Sequence, residues 1–326
     1  MSPEIPDHEF LKYTRRSMIL VGAWKMKVAN KYLSAFYKIW TVLSQSYYIL
    51  FCISFTIGMH YVLKDPIKLA ETNQYLLLSL LLLWKLILSQ SQTIRSRIDE
   101  IVCWETQLKK QAEVDRSYTQ NVKYNHRIFF SLTSMYFLTC CQFISNGYMN
   151  WARMRSDFPS EKILIFTGWF PFDSKKYFDV AYWFQVSNGV FVCMYSISFD
   201  SLIISLIIVA TARLRILGYK FERFGEGERV NFSLLLKSLI LEHQEIIRYV
   251  ENLNESLKWY FFCDFVVKSY HISLVLVSLM NQNKSALVFS FLILLYLLTQ
   301  VFCFYYHANE LILESTNLGN SIFHSK

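Results

Sequence analysis

Six stretches of this chain are apolar for long enough to cross about 30 Å of hydrocarbon, which takes roughly 20 residues of helix. They are Ile39–Leu63, Thr72–Ile94, Ile128–Ala152, Val180–Ala212, Trp259–Asn283 and Ser285–Asn309. Each is too long for an ordinary core helix, so the chain reads as an all-α, polytopic membrane bundle. Composition agrees. Only 18% of the 326 residues are charged and 53% are hydrophobic, where a soluble domain carries about 25% charged residues. A water-soluble enzyme is therefore a poor reading. No proline interrupts any of the six runs.

The net charge of +8 raises the question of a nucleic-acid or membrane-surface partner, and its distribution answers it. Lys and Arg number seven up to Lys38, seven from Arg95 to Arg127 and eight from Arg213 to Lys258; with Lys326 one side of the membrane carries 23. The three loops on the other side carry eight, and Lys85 and Lys268 lie within spans. The positive-inside rule then places the N-terminus in the cytoplasm, and six spans return the C-terminus there. Topology accounts for the basic excess, and no nucleic-acid partner is expected. No cleavable signal peptide is expected either, because Met18–Trp24 is a short apolar run flanked by Arg15, Arg16 and Lys25. Of seven cysteines only Cys103 lies clearly outside a span, which argues against an extracellular disulfide framework.

These runs divide the chain. Residues 1–38 form a cytoplasmic N-terminal segment, 39–212 the first four spans, 213–258 a cytoplasmic helical anchor, 259–309 the last two spans and 310–326 the start of a further helix. From Phe232 onward, residues recur at alternating spacings of four and three: Leu236, Leu239, His243, Ile246, Val250, Leu253, Leu257 and Tyr260. That heptad seam predicts one helix from about Phe232 to Met280, roughly 75 Å long and projecting from the bilayer. Its seam is expected to pack mainly within the chain, with a share in a subunit contact.

Reactive chemistry finds no foothold. The sequence has no phosphate-cradling Gly-rich loop, no nucleophile elbow, no CxxC and no HExxH, and its histidines are scattered. No catalytic residue, metal site or cofactor is expected. His243, on the seam, reads as a core histidine. Three ionisable residues in the spans need an account, since such groups are costly in hydrocarbon. Asp200 can pair with Lys85 or with Lys268; alternatively Lys85 snorkels and Asp200 sits beyond the hydrocarbon, because its span overshoots. Both readings stand open at this level. The outer halves of the spans hold Phe143, Asn146, Gly147, Tyr148 and Trp151, then Tyr182, Trp183 and Gln185. Tyr148 and Trp183 fit an interfacial aromatic belt, and the set as a whole also suits a pocket for small apolar molecules.

Several motifs are distinctive together. Gly168–Gln185 reads GWFPFDSKKYFDVAYWFQ, a Trp-x-Pro-x-Asp pattern at Trp169, Pro171 and Asp173 followed by Tyr182 and Gln185. Asp200-Ser201-Leu202, His243-Gln244, Gln300-x-Phe302, Asn309-Glu310-Leu311 and Glu314-Ser315 follow, with Gly22-x-Trp24 near the start. In these the chain resembles the insect odorant receptors along nearly its whole length, departing at Ala308, Ser321 and Phe323. The resemblance implies a small volatile hydrophobic ligand and a ligand-gated, non-selective cation channel. It further implies a heterotetramer with an obligate co-receptor subunit, in the plasma membrane of a sensory dendrite. It implies structural roles for Trp169, Pro171, Asp173, Asp200, His243, Gln244, Gln300, Glu310 and Ser315. A pocket among the second, third, fourth and sixth helices is implied, with Gly147 and Trp151 matching a Gly-x-x-x-Trp spacing; Phe143, Gln185 and Phe289 are added by depth. The family pattern runs on into a seventh, pore-lining helix, and this chain reads as stopping just short of it, which makes conduction by this chain alone doubtful. A gustatory receptor of the same superfamily is the nearer alternative. A G-protein-coupled receptor fits less well: its N-terminus would be outside, and Asp115-Arg116-Ser117-Tyr118 precedes the third span. No inverted repeat supports a transporter.

Overall fold

The computed structural model describes residues 9–24, 30–64, 66–108, 115–156, 164–165, 168–223, 232–281 and 284–323. Side chains are described within these, except at 66–68, 70, 71, 74, 115, 156, 278, 280, 281 and 284–289. The ordered elements are helices: α1 Lys12–Leu20, α2 Lys31–Tyr61, α3 Pro66–Gln90, α4 Gln92–Leu108, α5 Asp115–Ser156, α6 Phe178–Glu222, α7 Phe232–Asn281 and α8 Lys284–Phe323. Five of them are long and apolar enough to span a membrane unbroken. The count rises to six if the bent pair α3 and α4, meeting at 54°, is taken as one span. The expected second span ran to Ile94, and the structure ends it at Gln90. The cause is local. The Ser91 hydroxyl accepts the Ile94 amide at 3.3 Å and so starts a new helix. That new helix buries Ile94, Ile98, Ile101 and Trp104.

One helix sits at the centre. In α6, 72% of the most apolar window is buried, against 11–39% in the other unbroken spans. Its run from Ser198 to Leu214 is inaccessible on all sides, as expected of a helix that is apolar all round and ringed by others. The outer helices instead leave large apolar side chains bare, such as Leu43 and Leu50 of α2 and Phe130 and Phe137 of α5. A surface of that kind needs lipid as its solvent.

The helices α5 to α8 extend beyond bilayer length, so the divisions expected at 212/213, 258/259 and 309/310 all fall inside continuous helices. The long helix expected from Phe232 is α7, 50 residues in length. Its seam buries Leu239, Ile246, Leu253, Leu257 and Tyr260, while Phe232 is 64% exposed and His243 only half-buried. Leu239 and Ile246 pack on Leu214, Leu217 and Phe221 of α6 and on Leu318 of α8. These extensions form what we call the basic end of the bundle; the loop leading into α6 marks the opposite, loop end.

The N-terminal segment is not loose. The Phe10 amide donates to Glu105 Oε1 at 2.8 Å, and Asn125 Nδ2 donates to the Phe10 carbonyl at 2.8 Å. Gly22, at φ +72°, makes the turn from α1 towards α2; a Cβ there would lie 2.8 Å from Ser44 Oγ and 3.0 Å from Thr41 Cα. That explains the glycine of Gly22-x-Trp24. Trp24 contributes its carbonyl, which accepts the Tyr37 hydroxyl at 2.7 Å.

The seam gives a direct test. Leu257→Ala removes a side chain that is 2% exposed and should destabilise the bundle by about 2–5 kcal/mol. Phe232→Ala should stay within about 0.5 kcal/mol. Thermal unfolding of the two variants in the same detergent reads the difference; equal effects would contradict the packing described.

Candidate functional site

The ionisable residues within the spans converge in one cluster. Lys85 Nζ of α3 lies 2.7 Å from Asp200 Oδ1 of α6 and 4.0 Å from Asp264 Oδ1 of α7. Lys268 pairs with Asp264 at 2.5 Å, one helical turn along α7. The second oxygen of Asp200 accepts both the Tyr136 hydroxyl of α5 and the Gln300 amide of α8. Tyr260 donates to Asp264 at 3.2 Å. Two carboxylates thus face two ammonium groups, all at most 7% exposed. The remaining oxygens are occupied by neutral donors, which buried ions require. The question left open by the sequence is answered: Asp200 pairs directly with Lys85, and Lys268 joins through Asp264.

Towards the loop end from this cluster, the helices part around a cavity of about 620 Å³. Phe51 and Phe55 of α2, Tyr75 and Ser79 of α3, and Phe143 and Gly147 of α5 form one side. Gly189, Val192 and Cys193 of α6, His271 of α7, and Ile293 and Tyr296 of α8 form the other. On α3, α5, α6, α7 and α8 the lining residues stand outward of that helix's contribution to the charged cluster. Gly189 is needed for this shape: a Cβ there would come within 2.3 Å of the Phe143 ring. At the floor, the Tyr296 ring meets the Tyr136 ring edge-on, centroids 4.8 Å apart. Tyr136 in turn bonds Asp200, so one aromatic contact links cavity to ions. The volume suits a small molecule, and the walls are aromatic and aliphatic with few polar groups. Among the described residues no group of His, Cys, Asp and Glu could hold a metal ion.

The comparisons with known proteins point the same way. A family model described as 7tm Odorant receptor matches residues 68–326. The chain belongs to the insect odorant receptor family. Odorant receptor 10 of Aedes albopictus is 31% identical over 134 residues, covering 39% of this chain and 35% of that protein. Odorant receptor Or2 of Anopheles gambiae is 28% identical over 142 residues, covering 40% of this chain and 37% of its own. The matched part is thus little more than a third of the length of these curated relatives. Two solved structures of the insect olfactory receptor OR5 from Machilis hrabei share the fold at 16% identity. Each covers 96% of this chain and 83% of its own. The TM-score is 0.78 for one and 0.79 for the other, a complex with eugenol. The receptor is therefore a multi-pass, all-helical membrane protein.

Of the pocket residues expected from the sequence, Phe143 and Gly147 line the receptor's cavity. Trp151 does not. Its indole donates to Asp179 at 2.8 Å and its ring lies 5.9 Å from that of Trp183, so it closes α5 on the start of α6. Gln185 is buried at 2% exposure near Gly168, under the loop, and outside the cavity lining. The Phe289 side chain lies outside the described residues.

The motif residues have visible contacts. Trp169 exchanges backbone bonds with Ser54 of α2, its amide donating at 3.0 Å and its carbonyl accepting the Ser54 hydroxyl at 2.6 Å. Asp173 accepts the Lys175 amide at 2.9 Å and so shapes the turn into α6, with Pro171 exposed beside it. Tyr182 donates to the Gly147 carbonyl at 2.6 Å. Gln300 bonds Asp200, and Glu310 holds Arg215 at 2.7 Å together with Glu314. Gln244 and Ser315 are exposed. Sequence reasoning missed Tyr136, Tyr296 and His271. A signal was present for the last: Tyr260, Asp264, Lys268 and His271 repeat at helical spacing on α7.

Breaking a buried pair while leaving one ion behind costs about 3–5 kcal/mol. Asp200→Ala should therefore sharply reduce the monodisperse receptor recovered in detergent. The double variant Asp200→Leu with Lys85→Met should recover much of it. Equal losses in single and double variants, read by size-exclusion profiles, would show that the pair is not a coupled unit.

Proposed function

We propose that this receptor binds a small volatile hydrophobic molecule in the 620 Å³ cavity and transmits occupancy through its helices to a cation-conducting pore formed with a co-receptor subunit. The observation that carries the reading is the cavity itself: bounded by six helices, rich in aromatics, and seated directly on the cluster of Lys85, Asp200, Asp264 and Lys268. A ligand that fits the cavity better in one arrangement of the helices shifts the population towards it. Eugenol, bound by the structurally similar OR5, is of a size such a cavity accommodates. The absence of any nucleophile or acid–base motif in the sequence supports a receptor and channel subunit over an enzyme. In this reading, residues 39–212 supply most of the sensing bundle and 213–258 the anchor. Phe143 and Gly147 touch ligand, and the motif residues hold the scaffold.

The Lys and Arg count supports a cytoplasmic N-terminus, and membership of the odorant receptor family supports a place in the plasma membrane of a sensory neuron. An epitope tag after Met1 should be stained only in permeabilised cells, and one inserted near Lys175 without permeabilisation. The reverse pattern would overturn the orientation.

Val192→Trp adds an indole to the cavity wall and should weaken binding of a eugenol-sized molecule at least tenfold, about 1.4 kcal/mol, with the amount of folded receptor unchanged. The same substitution should raise the half-maximal concentration of ligand-evoked current on co-expression with a co-receptor subunit. Unaltered binding in Val192→Trp would place the ligand elsewhere.

A further inference from the structure

Among the described residues, one buried polar atom on the cavity wall has no partner. His271 is 7% exposed and lines the cavity from α7. Among the described residues its Nδ1 is buried and has no hydrogen-bond partner. Other buried atoms in the spans share that state, at Thr133, Asn188 and Tyr195, but none of those residues lines the cavity. Asn150 and Arg153 line the cavity from exposed positions, and three more polar groups are satisfied within their own helices. The Ser79 and Thr139 hydroxyls donate to carbonyls of their own helices at 2.8 and 3.0 Å, and Asn146 Oδ1 accepts from Gln142 at 3.3 Å.

Resting on the cavity being the ligand site, we propose that His271 is the specificity-determining residue there. It selects small, mostly apolar molecules that carry one hydroxyl or carbonyl group. A neutral imidazole offers one donor and one acceptor, so a hydroxyl or a carbonyl can each be matched by one of its nitrogens. Nδ1 as it stands is closed off, so pairing it with a molecule in the cavity requires a half-turn of the ring about the Cβ–Cγ bond. Leaving such a nitrogen unpaired costs about 1–3 kcal/mol, and a ligand that pairs it recovers that cost while a hydrocarbon does not. The position adds a consequence. His271 stands one turn from Lys268 on the same buried stripe of α7, about 4.5 Å along the axis at 1.5 Å per residue. The polar end of the ligand is therefore anchored beside the charged cluster and its apolar body points away, among Phe55, Tyr75 and Phe143.

The test uses the full chain in lipid nanodiscs and two probes of matched shape, 2-phenylethanol and propylbenzene, with dissociation constants taken from ligand-induced shifts of the thermal transition. His271→Phe keeps a ring and removes both nitrogens; His271→Gln keeps a donor and an acceptor. The ratio of the two constants should move about tenfold or more towards the hydrocarbon in His271→Phe, and only about twofold in His271→Gln. Propylbenzene binding should be unchanged within about twofold in both. Without ligand, His271→Phe should melt at or above the temperature of the unaltered chain, because an unpaired polar atom has been removed. An unchanged ratio, equal weakening of both probes, or a clearly lower melting temperature overturns the assignment of His271 alone. If neither probe binds the unaltered chain, the cavity reading falls with it.

Discussion

Everything in this bundle is arranged around the contact between Lys85 and Asp200, 2.7 Å apart and shielded from solvent. Two opposite charges in a low-dielectric interior attract strongly, but each loses its hydration, and the balance is favourable only when every remaining polar atom is met. Here Tyr136, Gln300, Tyr260, Asp264 and Lys268 supply those partners. They come from α5, α7 and α8, so five helices must hold one relative register for the cluster to exist. Apolar packing between lipid-facing helices is tolerant of sliding; a neutralised ion cluster is not. It fixes the depth of each span against the next, with α6 as the common partner.

Two consequences run in opposite directions from that point. Towards the basic end, α6 is packed on all sides as far as Leu214 and is clamped by further ion pairs, Arg213 with Glu100 and Arg215 with Glu310 and Glu314. Cation–aromatic contacts of Arg213 with Trp104 and Tyr249 add to them. Towards the loop end the helices separate, Gly189 lets the Phe143 ring lie close against α6, and the cavity opens. A rigid half and an open half meet at the Tyr136–Tyr296 ring contact. In the proposed function that contact is where occupancy of the cavity is felt by the packed half, through a pairing whose geometry leaves little slack.

The sequence made the spans legible because length and lack of charge are local properties, and α7 because a heptad seam is periodic. Motif resemblance carried the family. What it could not supply depends on distances between helices. Asp200 had two candidate lysines, and only the mutual placement of α3, α6 and α7 decides that Lys85 touches it while Lys268 is held by Asp264. Trp151 and Gln185 carried the right chemistry at the right depth for a pocket, yet helix rotation turns Trp151 to Asp179 and buries Gln185 near Gly168. The bend at Ser91 hid within a run that reads as one helix, since a serine cap is weak against so many leucines. The docking of Phe10 on Glu105 and Asn125 had no signal, being a pairing of three distant segments.

In the proposed function, a neutral ion cluster forms the floor of the ligand cavity. The most direct measurement is an electron cryomicroscopy structure of the receptor in nanodiscs with a saturating small aromatic alcohol. Ligand density should be bounded by Phe55, Phe143, His271 and Tyr296, above an intact contact between Lys85 and Asp200. A cavity filled by neighbouring side chains, with ligand density elsewhere or the lysine and carboxylate apart, would contradict it.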